Sequence, residues 1–243
     1  MRPLPRSSAG SSPSDHGAEA GEASKVGAHL VGRHGEVGEC EFTMFGRQWH
    51  LLPEVFAPAH TDSTQLFTRW LPFPVGGTFL EMGCGAGVTA VTAALEGCAR
   101  VTAADINPQA VRNTRLNAAR HGVADRVEAV RSDLFDALDP GARFDVVFWN
   151  SNVVHAPADF AYTRGLEHAV FDRDYAAHRR YVRDGLARLS GSGRLFLGFN
   201  SLGDTARLDA AVAQAGARIT EHATLTNRAS DVPVAFRLME ITR

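Results

Sequence analysis

The stretch Thr78 to Val91, Thr-Phe-Leu-Glu-Met-Gly-Cys-Gly-Ala-Gly-Val-Thr-Ala-Val, limits what this chain can fold into more than any other part of it. It opens on apolar residues suited to a buried strand, passes through Gly83, Gly85 and Gly87, and runs from Val88 to Leu95 with helical character. In a strand, glycine turn and helix of this kind, glycine lets the backbone approach a ligand and reach φ angles that cost other residues energy. A dinucleotide fingerprint needs G-x-G-x-x-G around a pyrophosphate. Here the third glycine comes one residue early, and Val88 stands in its place. Glu81, shortly before the first glycine, would repel a pyrophosphate and attract an ammonium group.

Downstream, strands are expected over residues 100–104, 126–130, 144–149 and 194–199, and helices over 109–121, 173–189 and 205–216. Asn107 and Pro108 mark the start of the second helix as N-cap and first helical residue. Residues 217–226 and 233–242 suit a terminal antiparallel pair. Alternating strands and helices argue an α/β fold with a doubly wound, mostly parallel sheet, whose ligands lie at the carboxyl ends of the strands. Asp105 ends the second strand, where an acid in nucleotide-binding sheets takes two ribose hydroxyls; the competing role is a helix cap.

Ahead of the glycine turn, residues 41–45 and 48–52 flank Gly46-Arg47 as a small hairpin, and residues 65–71 read as a helix capped by Asp62 or Ser63. Residues 1–25, rich in Ser, Gly, Ala and Pro, are expected to be a disordered tail. The expected organisation is therefore tail 1–25, hairpin and helix cap 26–74, and main domain 75–243.

Composition removes several chemistries. Lys25 is the one lysine, which opposes a P-loop, a Schiff base and the tyrosine-lysine pair of short-chain dehydrogenases. A formal net charge of -2 with scattered arginines argues against nucleic acid as a partner. Cys40, Cys84 and Cys98 form no C-x-x-C pair, so neither a disulfide framework nor a metal site is expected, and a reducing cytoplasm fits. No apolar run approaches the roughly 18 residues that span a bilayer, so a soluble chain is expected and no membrane partner.

The pattern E-x-G-x-G-x-G from Glu81, followed by Asp105 after the next strand, resembles the class I S-adenosylmethionine-dependent methyltransferases. The resemblance implies a Rossmann-like seven-stranded sheet with a terminal antiparallel strand, and S-adenosylmethionine as cofactor. Its contacts would come from Asp62, Glu81, Gly83, Cys84, Gly85, Gly87 and Asn150. Asp105 would hold the ribose, Ile106 pack on adenine, and Asp133 receive the adenine amino group, with Leu134 beside it also a cofactor contact. From about Phe56 to Val154, including Pro58-x-x-x-Asp62-Ser63, the chain is similar to the release-factor glutamine methyltransferases and their small relatives. That branch carries Asn-Pro-Pro followed by Tyr or Phe, its asparagine and the next carbonyl orienting a planar NH2 acceptor.

Asn150 is kept here, but Ser151, Asn152 and Val153 replace Pro-Pro-aromatic. Proline rigidity and the aromatic contact are lost, and Asn152 brings a donor and an acceptor. Asn150, Ser151 and Asn152 are thus the candidate catalytic residues, joined by His155, whose imidazole could take a proton. The expected reaction is methyl transfer to nitrogen of a small molecule, with a protein glutamine or other side chain as the alternative. A dehydrogenase is opposed by the glycine spacing and missing lysine, and a non-catalytic adenosine-binding module by the retained Asn150. Amine, amide, guanidine and hydroxyl acceptors all remain compatible.

Overall fold

A computed structural model describes residues 25–227 and 233–243; the expected tail lies outside the described residues except for Lys25. In chain order come a helix over residues 25–35 (α1), strands Cys40–Met44 (β1) and Arg47–Leu51 (β2), α2 (Ser63–Trp70), β3 (Thr78–Met82) and α3 (Val88–Leu95). Next are β4 (Arg100–Asp105), α4 (Pro108–Arg120), β5 (Val127–Arg131), β6 (Phe144–Asn150), β7 (Val154–Ala156) and β8 (Phe171–Arg173). The chain closes with α5 (Ala176–Ala187), β9 (Leu189–Asn200), α6 (Thr205–Gln214), β10 (Arg218–Asn227) and β11 (Val234–Thr242).

Seven strands form one sheet in the order β10-β11-β9-β6-β3-β4-β5. β3, β4, β5, β6 and β9 run parallel, while β11 is antiparallel to both of its neighbours. This is the expected Rossmann-like sheet. Alternate residues face opposite layers: Phe79, Phe148 and Phe196 join the core with α3 and α4, and Leu80, Val147 and Leu195 join the core with α5 and α6. Burying each such side chain stabilises the fold by about 1.5–3 kcal/mol. Strand order reverses between β3 and β6, so the crevice at their carboxyl ends is the natural ligand position.

The hairpin is fastened to this frame by amides on α4. Asn117 Oδ1 accepts from the His50 N–H (2.8 Å) and Asn113 Oδ1 from the Leu52 N–H (2.8 Å). Both side chains also donate to the His50 carbonyl, and Asn117 donates to the Ala86 carbonyl in the glycine turn. These bonds tie hairpin, α4 and turn together.

Several expectations need correction. The hairpin turn is Phe45-Gly46, not Gly46-Arg47, because both central residues have positive φ (54° and 68°) and Met44 pairs with Arg47, as a type I′ turn requires. The single helix expected over 173–189 is preceded by β8, which pairs in parallel with β7 as a small separate sheet. Lys25, assigned to the tail, opens α1. That helix carries three glycines, and Gly27 is one because a Cβ there would sit 2.5 Å from the Phe171 ring. No helix among the described residues is long and apolar enough to cross a membrane.

Candidate functional site

A cavity of about 1760 Å³ opens at the carboxyl ends of β3, β4 and β6. Every residue expected to bind cofactor or act in catalysis lines it, except Gly87, which stands just behind the turn. Gly85 and Gly87 have positive φ for different surroundings. At Gly85 (φ 54°) an added Cβ would meet nothing within 4 Å, so the backbone there presents a bare cradle to the cavity. At Gly87 (φ 79°) it would lie 2.7 Å from Thr114 Oγ1 and 2.8 Å from its Cα, so this glycine lets α3 approach α4. Gly83 (φ 64°) lies against Trp149, and the Cys84 thiol accepts from Thr114 Oγ1 at 3.2 Å.

Asp105 is not the cap of α4; Asn107 is, accepting from the Gln109 N–H at 2.9 Å. Asp105 Oδ2 instead accepts from the Gly85 N–H (2.9 Å) and Oδ1 from the Asn107 N–H (2.8 Å), which fixes the carboxylate between turn and helix. A carboxylate has about four acceptor sites, so this one keeps capacity for hydroxyl donors. Burial pushes Asp105 up to about 6, against the pull of the backbone N–H groups.

Glu81 is turned inward. It is 3% exposed, and its Oε2 accepts from the Ala90 N–H (2.8 Å) in the first turn of α3. Burial first, with Asp105 adding to it, raises the carboxyl to about 8, so at neutral pH it is mostly uncharged. Of the two acids, Asp105 carries the charge at pH 7.

Ile106 lies partly buried beside the cavity, and Leu134 follows Asp133 with φ 51°. The Asp133 carboxylate is met by Arg180 at 2.9 Å. Asp62 precedes α2 without capping it, its Oδ2 bonded instead by the Asn227 amide.

At the end of β6, Asn150 donates from Nδ2 to Ser63 Oγ (3.3 Å), a bond that points its Oδ1 the other way. The next residues are firmly held without prolines. Ser151 donates from both its backbone N–H (3.1 Å) and Oγ (2.9 Å) to the Gly198 carbonyl. Asn152 Nδ2 donates to the carbonyls of His168 (3.1 Å) and Phe171 (2.7 Å), and the Tyr175 hydroxyl donates to the Val153 carbonyl (2.8 Å). The expected loss of rigidity is thus offset by hydrogen bonds, most of them from side chains to backbone carbonyls. Val153, in the place of the family's aromatic residue, is buried in the core.

His155 sits on β7, its basicity lowered by burial and then by Arg207, so its imidazole is neutral at pH 7. The polar residues of the connection after β6 are in part buried rather than solvated. Asp172 and His178 form a buried pair at 2.7 Å, and Tyr175 is fully buried. Helix α1, unread in the sequence, adds Val26, His29, Leu30 and Arg33 to the cavity wall.

Comparison with known proteins agrees with this geometry. The family model "methyltransferase small domain" matches residues 47–164, just under half of the chain. The ribosomal protein L11 methyltransferase of Pelotomaculum thermopropionicum is 44% identical over 75 residues, which are 31% of this chain and 24% of that one. The chain thus spans about a quarter of the length of the curated relatives it matches. Among solved structures, the T. thermophilus 16S rRNA N2 G1207 methyltransferase, in complex with AdoMet and guanosine, aligns with TM-score 0.55 at 19% identity, over 85% of this chain and 50% of that one. The B. subtilis m1A22 tRNA methyltransferase aligns with TM-score 0.51 at 11% identity, over 74% of this chain and 65% of that one.

Residues 47–164 thus match a methyltransferase domain model, and the sheet has the fold of solved methyltransferases, one of them crystallised with AdoMet, in line with the resemblance the sequence carries. The expectation that nucleic acid is no partner does not stand, because proteins of this fold include methyltransferases of rRNA and tRNA. A net charge summed over the chain does not describe the surface around one cavity.

Proposed function

We propose that this chain transfers the methyl group of S-adenosylmethionine to nitrogen of a planar amino group, on a small molecule or exposed on a larger one such as a nucleobase. The observation that carries this reading is Asn150 at the carboxyl end of β6, its Nδ2 committed to Ser63 and its Oδ1 left to accept from an acceptor N–H. The residues suit the cofactor: an open glycine cradle at Gly85, an ionised Asp105 for ribose hydroxyls, and Ile106 beside the adenine position. S-adenosylmethionine bound there supplies a methyl on positively charged sulfur, which leaves as a neutral thioether as the acceptor's lone pair forms the new N–C bond.

The chain's own contribution is mostly positioning. Asn150 orients the amino group, and the pinned Ser151 to Val153 segment holds Asn150 in place, so the reacting atoms start close and aligned. The amino nitrogen must then lose a proton. His155, neutral in the same cavity, is available to take it, as is water.

The test incubates the purified full chain with methyl-labelled S-adenosylmethionine and cell extract, then separates RNA, protein and small molecules. The proposal expects label recovered as N-methyl in one fraction and lost with Asn150→Ala. Label recovered only as O-methyl or C-methyl, or unchanged by Asn150→Ala, contradicts it.

A further inference from the structure

We infer that α1 is the acceptor-recognition element of the cavity, and that Arg33 on it binds an anionic group, carboxylate or phosphate, carried by the molecule that is methylated. This rests on the reading that the acceptor occupies the cavity beyond Asn150. α1 has two stripes with different tasks. Gly27, Val31 and His34 face the protein: Gly27 packs on Phe171, Val31 is buried, and His34 Nδ1 accepts from the Ala57 N–H at 2.9 Å while its ring stacks on Phe56 at 3.8 Å. Val26, His29, Leu30 and Arg33, at helical spacing i, i+3, i+4 and i+7, all line the cavity. The docking stripe therefore fixes which way the second stripe looks.

That second stripe is amphipathic in a specific sense. Val26 and Leu30, with Phe56 nearby on the wall, offer an apolar surface, and Arg33 stands one turn beyond Leu30. Among the described residues two arginines line the cavity, and they differ. Arg207 is engaged by Asp204 (3.1 Å) and lies 3.8 Å from Asp174. Arg33 makes no ion pair among the described residues. The acids on the wall are occupied in turn: Asp133 by Arg180, Asp204 by Arg207, Asp105 by backbone N–H groups, Glu81 by α3, and Asp62 by Asn227. An unpaired guanidinium beside an apolar wall is matched by a ligand with a flat apolar body and an anion that accepts its forked N–H groups.

The experiment uses the full chain saturated with S-adenosylhomocysteine and titrates phenyl phosphate, benzoate and benzyl alcohol, followed by NMR. Hydrogen bonds to charged groups contribute enough that one anion should bind at least about tenfold more tightly than benzyl alcohol. Which anion wins separates phosphate from carboxylate. The preference should fall below about threefold in Arg33→Gln and return only in part in Arg33→Lys, which keeps the charge but not the fork, with melting temperature unchanged because Arg33 is exposed. Failure of both anions to bind, or an equal preference in Arg33→Gln, overturns the inference. S-adenosylhomocysteine affinity in the same samples reports separately on the methyltransferase reading. If it binds and the anion preference is absent, only the role of Arg33 is lost.

Discussion

Replacing Glu81 by glutamine should change how stability depends on pH, by an amount that follows from its burial. The side chain is 3% exposed on β3, with a single backbone N–H, from Ala90, and the Thr89 hydroxyl to support a charge. Its carboxyl is raised from 4.5 to about 8. The unfolded chain therefore releases this proton first, and between those two values the folded state binds more protons. The contribution of the neutral carboxyl to stability is complete below pH about 4.5 and is lost as pH rises through about 8. A shift of that size corresponds to on the order of 4–5 kcal/mol across the window. Glutamine keeps the shape and the acceptor for Ala90 but cannot ionise. Urea unfolding of both proteins at pH 5.5, 7.0 and 8.5 gives the comparison. Relative to wild type, Glu81→Gln should gain several kcal/mol between the first and last conditions. A difference that stays flat with pH would mean that Glu81 is ionised in the fold at neutral pH, and the burial argument would fail.

Two glycines of one turn should respond differently, one mainly in stability and the other mainly in ligand binding. Gly87→Ala combines an unfavourable φ with a clash against Thr114, and should lower stability in urea by about 2–4 kcal/mol. Gly85→Ala meets no neighbour, so it should lower stability by only about 1–2 kcal/mol while weakening S-adenosylhomocysteine binding about tenfold or more in calorimetry. Reversal of that order would show that the cradle is misplaced. Asn150→Ala should leave S-adenosylhomocysteine affinity within about threefold and slow N-methyl transfer by about two orders of magnitude in a label-transfer assay. Unchanged turnover would move acceptor orientation elsewhere.

The parts readable from sequence are those whose order is local. The glycine turn, the Asn107-Pro108 helix start and the apolar alternation of β3 and β6 are short-range signals, and they place Gly85, Asp105, Ile106 and Asn150 around one cavity. The connection from Ser151 to Tyr175 resisted reading because its order comes from polar residues. Asp172 and His178 are buried as a hydrogen-bonded pair, and Tyr175 and Asn152 are buried while donating to backbone carbonyls, whereas pattern reading assigns such polar groups to solvent. Helix α1 was hidden by Gly27, Gly32 and Gly35, each unfavourable in a helix by about 1 kcal/mol against alanine. What outweighs that cost is tertiary: the close approach of Gly27 to Phe171 and the seat of His34 beneath Ala57. Asp105 can pass for a helix cap in the sequence, and only the bond of Asn107 to the Gln109 N–H shows that another residue takes the cap.

The central claim is that the Gly85 cradle and Asp105 hold S-adenosylmethionine, and calorimetry on the full chain measures it. S-adenosylmethionine and S-adenosylhomocysteine should each bind at one site, and NAD should not bind. Asp105→Ala should weaken both by about 1.5–3 kcal/mol, the contribution of hydrogen bonds to a charged group. Binding of NAD in preference to either ligand, or full affinity in Asp105→Ala, would contradict the account.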